Sequence, residues 1–313
     1  MTTYILRRFI STIPVLVLIA LFAFTVLRMA PGDPAIMIAG EDASPEMVTQ
    51  IRDDLGLDGP FVPQFLSWGW AVLQGDFGLS LFTRQPVVEM IGQRLAPTFL
   101  LMTLTLAISV VIGIFLGVIG GWRQNRPTDR LIMVAMVLFF SIPSFVMGYL
   151  LTWVLGLQLK WLPVQGYAAL DQGVLMSLRS LLMPALALSA VYIAVISRIT
   201  RSSILENLRQ DFVRTARAKG VAERTVLFRH ALKNSAVPIV TVIGSGIGVL
   251  MSGSVIIENV FAIPGLGRLT VDAVLRHDYP VIQGVILLFG LMYVLVNLAV
   301  DLAYTAFDPR IKY

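Results

Sequence analysis

"TFLLMTLTLAISVVIGIFLGVIGG", residues 98–121, runs for 24 positions without a charged side chain. The hydrocarbon core of a bilayer takes roughly 20 mostly apolar helical residues to cross, and this stretch is long enough to do so. Five others share its length and character: 9–29, 131–157, 181–199, 237–257 and 281–306. In hydrocarbon an unpaired backbone N–H or C=O finds no water, so each stretch is expected to be helical. The expected fold is all-α, a polytopic membrane protein with six transmembrane helices.

Composition agrees. Of 313 residues 57% are hydrophobic and 14% charged, with a mean hydropathy of +0.80, more apolar surface than a soluble chain of this length could cover. With no cysteine there are no disulfides, thiolate nucleophiles or thiolate-bound metals, and two histidines cannot cluster around zinc or copper. The net charge of +5 and pI near 9.7 are read by position in a membrane protein, so no nucleic-acid partner is expected.

The third stretch is interrupted by "SIPS" at 141–144, where Pro143 lacks a backbone donor and predicts a kink, either for packing or to line a pathway. The first follows Arg7 and Arg8 as a signal peptide would. Its apolar run exceeds the usual h-region and no small-x-small cleavage site precedes Pro31, so residues 1–30 are expected to be an uncleaved signal-anchor span.

Taking the loops alternately, 16 basic residues fall on one side and 7 on the other, with Arg28 at a helix end. The positive-inside rule places both termini and the loop 198–236 in the cytoplasm, leaving 307–313 as a cytoplasmic tail. The opposite face carries the segment 31–97, with nine carboxylates (Asp33, Glu41, Asp42, Glu46, Asp53, Asp54, Asp58, Asp76, Glu89) against three arginines. It is too long for a mere connector and has its own apolar pattern, "FVPQFLSWGWAVLQGDFG" at 61–78. It is expected to be an extracytoplasmic element of two or three short helices that docks a partner or gates entry; residues 98–306 form the five-span core.

The loop 198–236 predicts two helices, "SSILENLRQDFVRTARAK" (202–219) and "AERTVLFRHALKNSA" (222–236), separated by Gly220, which is suited to the left-handed conformation that ends a helix. Arg214, Arg217 and Lys219 gather around that glycine, and Val226 and Leu227 with, one turn on, His230, Ala231 and Asn234 set an apolar strip beside a basic one. Such a pair rests on something: anionic membrane lipid, each cation contributing about 1 kcal/mol, or a cytoplasmic protein. Charge alone does not choose.

The wording of the sequence does. "DFVRTARAKG" (211–220) followed by "HALKNSAVP" (230–238) resembles the coupling segment of inner-membrane permeases of ATP-binding-cassette importers, in the dipeptide and oligopeptide branch. The resemblance covers nearly the whole chain: "ILRRF" (5–9), "PGDP" (31–34), "LGLD" (55–58), "GDFGLS" (75–80), "WLPVQGY" (161–167), "ENVFAIPGLGRL" (258–269), "RHDYPVIQG" (276–284) and "DPRIKY" (308–313). It implies a type I permease of the bacterial inner membrane whose residues Arg214, Thr215, Ala216, Arg217, Ala218, Lys219 and Gly220 couple to an ATPase. Ala216 and Gly220 match the alanine and glycine of the general importer loop motif; Arg214 and Thr215 stand where that motif has Glu-Ala, a departure typical of the peptide branch.

The resemblance also implies the partners: a homologous second permease, two ATP-binding-cassette ATPase subunits and an extracytoplasmic substrate-binding protein. ATP and magnesium belong to the ATPases, since no Gly-Lys-Ser or Gly-Lys-Thr of a phosphate-cradling loop occurs here. No cofactor is expected on this chain, and it is not expected to be an enzyme. The implied cargo is di- or oligopeptide, with sister branches carrying glutathione, nickel chelates or sugars.

In "GSGIGVLMSGS" (244–254), Gly244, Gly248 and Ser252 recur every four residues and allow a close helix approach. Ser245, Ser252, Ser254, Glu258 and Asn259 are the candidates for a polar pathway wall, Glu258 as an interfacial carboxylate or a partner for a peptide's amino terminus. Asp301 and Asn297, one turn apart, read as a structural pair in the last span, and Arg28 as a snorkelling anchor. An intramembrane enzyme would need a nucleophile and base at membrane depth, and neither histidine lies in a span. A receptor or scaffold is the third class, separable by whether an ATPase co-purifies.

Overall fold

The computed structural model describes residues 2–29, 34–39, 43–54 and 59–307. The motifs at 31–33, 55–58 and 308–313 lie outside them, as do Asp33, Glu41, Asp42 and Asp58 and the side chains of Arg28, Asp53, Asp54 and Asp301. Among the described residues the protein is all-α apart from one isolated β-bridge between Leu79 and Pro86. The helices are α1 Thr2–Met29, α2 Pro34–Ala39, α3 Pro45–Asp54, α4 Phe61–Leu73, α5 Val87–Trp122, α6 Pro127–Ser141, α7 Ser144–Leu151, α8 Val174–Leu208, α9 Asp211–Ala218, α10 Glu223–Thr225, α11 Ala236–Val260, α12 Leu266–Leu275 and α13 Tyr279–Phe307. Wide π-helical turns continue α7 over Thr152–Gln158 and α10 over Val226–Leu232.

By length and apolarity α5, α8, α11 and α13 are long enough to cross a membrane, and α6 with α7 adds a fifth if the bent pair is one span. That pair bends by 104° between Ser141 and Ser144, where Pro143 breaks the hydrogen-bond ladder. In α1 the described side chains, Ile10–Thr25, form a shorter apolar helix. Two spans reach beyond their apolar stretches. α5 starts at Val87 rather than 98 and carries Pro97 inside it, and α8 extends from Val174 to Leu208. Hydropathy marks the length that can lie at membrane depth, whereas helix continues wherever backbone bonds and packing support it.

The contacts divide the chain into two compact units, residues 1–96 with 268–294 and residues 97–267 with 295–313. In the first, Phe24 of α1 is enclosed by Phe61, Phe65 and Trp68 of α4, with ring centroids 5.3–5.5 Å away. Gly284 of α13 faces Val87 and Ile91, where a Cβ would come within 2.8 Å of Val87.

In the second unit the largely buried α8 is the centre, packed against α6, α7 and α11. Its β-branched ridge of Ile196, Thr200 and Ile204 enters a glycine groove on α5. A Cβ on Gly113, Gly117 or Gly121 would lie 2.8, 2.5 or 2.9 Å from those side chains, so only glycine permits this approach. The Arg201 guanidinium then grips Asp129 at the start of α6 with two bonds of 2.7 Å, and the Asn125 N–H donates to the same carboxylate at 2.9 Å. This bidentate pair, with its carboxylate buried and its guanidinium partly so, joins α6 to α8.

Glycines of α11 admit close neighbours on more than one side. Gly246 and Gly253, seven residues apart, take the Tyr192 ring and Leu188 of α8, while Gly244 meets Val300 of α13 and Ser252 is exposed.

Candidate functional site

The end of α8 is the first part of the site. Residues 202–219 are not one helix: α8 stops at Leu208, Gln210 is extended (ψ 153°), and α9 begins at Asp211, whose carboxylate suits a helix N-terminus. The bend has a packing cause. It turns Val213 and Ala216 inward onto Val226, Leu208 and Val221, where the first three are fully or nearly fully buried.

α9 then closes as a Schellman motif. Gly220 has φ +76°, its N–H donates to the Arg217 carbonyl at 2.9 Å, and the Val221 N–H donates to the Ala216 carbonyl at 3.2 Å. Arg217 reaches across the turn to Glu223 with bonds of 2.7 and 3.1 Å. That guanidinium holds the Glu223 carboxyl below its ordinary range, and Glu223 raises Arg217 in return.

The seven coupling candidates are therefore brought together but face different ways. Ala216 is buried in the elbow and Arg217 is engaged with Glu223. Arg214 pairs loosely with Asp211 at 3.2 Å, both groups being well solvated. Thr215, Ala218, Lys219 and Gly220 are exposed, and no atom lies within 4 Å of a Cβ built on Gly220. Two residues that the sequence reading passed over stand beside them, Phe212 and Phe228, large aromatics about half exposed. Their signal was an aromatic in each otherwise charged helix of the loop.

The second part is one face of α11. Ser245, Ser252 and Asn259, seven residues apart, are exposed on the same side, with Thr241 one turn before. Each donates to its own helix: Thr241 to the Val237 carbonyl at 2.8 Å, Ser245 to Val242 at 3.2 Å, Ser252 to Val249 at 2.9 Å and Asn259 to Val255 at 2.7 Å. With one donor of each satisfied locally, they turn acceptor lone pairs outward along about 27 Å of helix. A groove of about 330 Å³ beside this face is lined by Phe140, Ser144, Tyr192, Ser245, Gly246 and Val249. The break at Pro143 is what brings Ser144 there.

Ser254 and Glu258 lie on the other side, both fully buried. The Ser254 hydroxyl donates to the Met251 carbonyl. The Glu258 carboxylate accepts the Thr98 hydroxyl at 2.6 Å, and the Thr98 oxygen accepts the Leu266 N–H at 2.8 Å, at the first turn of α12. The same carboxylate fills the space where a Cβ on Gly265 or Gly267 would stand, so the glycines of "PGLG" exist to admit it. In this arrangement Glu258 holds the corner between α11 and α12. The "WLPVQGY" loop closes on that corner, with Gly166 N–H donating to the Phe261 carbonyl at 2.9 Å.

A set of long apolar helices, a polar face along one of them and an amphipathic elbow beyond the bundle describe a membrane transport subunit. Residues 109–313 match the family described as the binding-protein-dependent transport system inner membrane component, and residues 1–103 match its N-terminal counterpart. The chain belongs to this family. It is a multi-pass protein of the inner membrane and a transport subunit, not an enzyme. Over the full length of both chains it is 49% identical to a probable peptide ABC transporter permease, y4tP, of Sinorhizobium fredii and 43% identical to a putative peptide transport system permease of Brucella abortus. It is 42% identical, again over the full length of both, to the glutathione transport system permease GsiC of Escherichia coli K12. Among solved structures it resembles the inward-facing MetNI methionine ABC transporter, with a TM-score of 0.59 and 16% identity over 70% of this chain and 96% of that one.

Proposed function

We propose that this chain is one permease of an ATP-driven importer of di- or oligopeptides, working beside a homologous permease, two ATPase subunits and an extracytoplasmic binding protein. The observation that carries the reading is the full-length 49% identity to a permease named for peptide transport. The chain crosses the membrane six times with both termini in the cytoplasm, and α9 with the turn after it engages the ATPases through Phe212, Thr215, Ala218, Lys219 and Phe228. The segment 31–97 meets the binding protein or gates the entry. The exposed face of α11 forms part of the pathway wall: its outward acceptors suit the ammonium and amide N–H donors of a peptide.

ATP-dependent accumulation of a labelled dipeptide and tetrapeptide in vesicles holding the complete importer tests this, with unlabelled peptides and glutathione as competitors. Peptide uptake that requires ATP supports the reading, and uptake without ATP ends it. Uptake of glutathione alone favours the second reading, motivated by the 42% identity to the glutathione permease.

A further inference from the structure

α4 is unlike the rest of segment 31–97. Its 13 residues, "FVPQFLSWGWAVL", include no charged side chain. One face turns inward, where Phe61, Phe65 and Trp68 surround Phe24 of α1. The opposite face carries Val62, Leu66, Trp70 and Leu73 at 62, 63, 66 and 81% exposure, within an arc of about 80° on a helix of 100° per residue. Such a strip of large apolar side chains does not stay in water without a reason.

What covers the strip follows from where α4 is tied. Phe24 lies one turn before Arg28, the first charge after the apolar run of α1, so the three rings meet α1 near the edge of that run. α1 itself exposes Leu18 and Phe22 just before that edge. A helix held at that depth by aromatic packing, free of charge and carrying Trp68 and Trp70, sits where tryptophan is favoured, at the boundary of headgroups and acyl chains. We infer that α4 lies in the membrane interface, with Val62, Leu66, Trp70 and Leu73 against lipid acyl chains, and so tethers the segment 31–97 to the bilayer surface. The inference rests on the proposed reading of α1 as a span and on nothing about the substrate.

The chain contains no cysteine, so Leu18→Cys, Leu66→Cys, Ser67→Cys and Trp70→Cys each give this subunit one labelling site. Each variant is nitroxide-labelled before assembly into the complete importer in phosphatidylcholine vesicles, with collisions measured against oxygen, which enters acyl chains, and a water-soluble nickel chelate. Positions 66 and 70 should match the high oxygen-to-nickel ratio of position 18, with 67 clearly lower. Nickel-dominated collisions at 66 and 70 would place the strip in water and overturn the inference. Low collision with both reagents would mean that protein, such as the second permease, covers it, which overturns the inference equally. A low ratio at position 18 would instead remove the span reading of α1.

Discussion

The Ser80 hydroxyl donates to the Asp278 carboxylate across 198 residues of sequence, and both groups are buried. The Leu81 N–H donates to the other carboxylate oxygen at 3.1 Å, the Thr83 N–H donates to Ser80 Oγ at 3.0 Å, and the Arg276 guanidinium stacks 4.2 Å from the Phe82 ring. "GDFGLS" and "RHDYPVIQG", far apart in the chain, are thus two halves of one joint. Asp278→Ala leaves a buried hydroxyl and a backbone donor unpaired and should cost about 3 kcal/mol. Asp278→Asn, which keeps an acceptor, should cost clearly less. Thermal unfolding of the detergent-solubilised complex should rank wild type, Asn and Ala in that order; equal midpoints would mean that the joint does not hold this unit.

At Gly117 the expected fault is steric. A Cβ would stand 2.5 Å from that of Thr200 and 2.7 Å from the Ser197 carbonyl, and neither is a movable side-chain end. Gly117→Ala should lower the unfolding midpoint by the equivalent of about 1–3 kcal/mol, and adding Thr200→Gly, which removes the opposing Cβ, should recover part of it relative to Thr200→Gly alone. No recovery in the double variant would show that α5 and α8 do not meet there.

Gly220 should fail for a different reason. The space around it is open, so the penalty comes from φ +76° alone, of order 1–2 kcal/mol for a β-branched residue. Gly220→Val should leave membrane insertion intact and lower ATPase retention and uptake together. Gly220→Asn should retain most of both, since asparagine tolerates the left-handed region. If valine and asparagine behave alike, the turn's conformation is not what matters.

The Arg217–Glu223 pair across the same turn carries a pH signature. Because Arg217 depresses the Glu223 carboxyl in the folded protein, the pair's contribution is present above the unfolded carboxylate value near 4.3. It is lost as pH falls through the lower folded value. Both groups are partly solvated, so the contribution stays under about 1 kcal/mol. Glu223→Gln should lie slightly below wild type in unfolding midpoint at pH 7, the gap closing on acidification below about pH 4. A gap that persists there would assign the effect to something other than the carboxylate.

On α11, neighbouring positions should separate transport from architecture. Ser252→Leu and Asn259→Leu alter the exposed face and should reduce uptake while the protein level and ATPase assembly hold. Glu258→Ala empties the Thr98 and Leu266 corner and should reduce the folded protein itself, by about 2–4 kcal/mol of stability. Uptake unchanged in both leucine variants would remove this face from the pathway.

The sequence by itself determined the membrane class and most of the helices, because crossing hydrocarbon is a local requirement that any run of about 20 apolar residues reveals. It also determined the kink at Pro143 and the left-handed turn at Gly220, since proline lacks a donor and glycine a Cβ wherever they stand. Tertiary structure alone decided which way side chains face. Ser252 and Ser254 are two residues apart in one glycine-rich run, yet the first is exposed and the second buried, because Tyr192 and Leu188 of α8 choose the inner side of α11. The same holds for Glu258, whose partner Thr98 lies 160 residues away, and for Arg217, whose charge Glu223 engages. Composition and periodicity act along the chain, whereas burial and pairing need the neighbour's identity, and only folding brings that neighbour near.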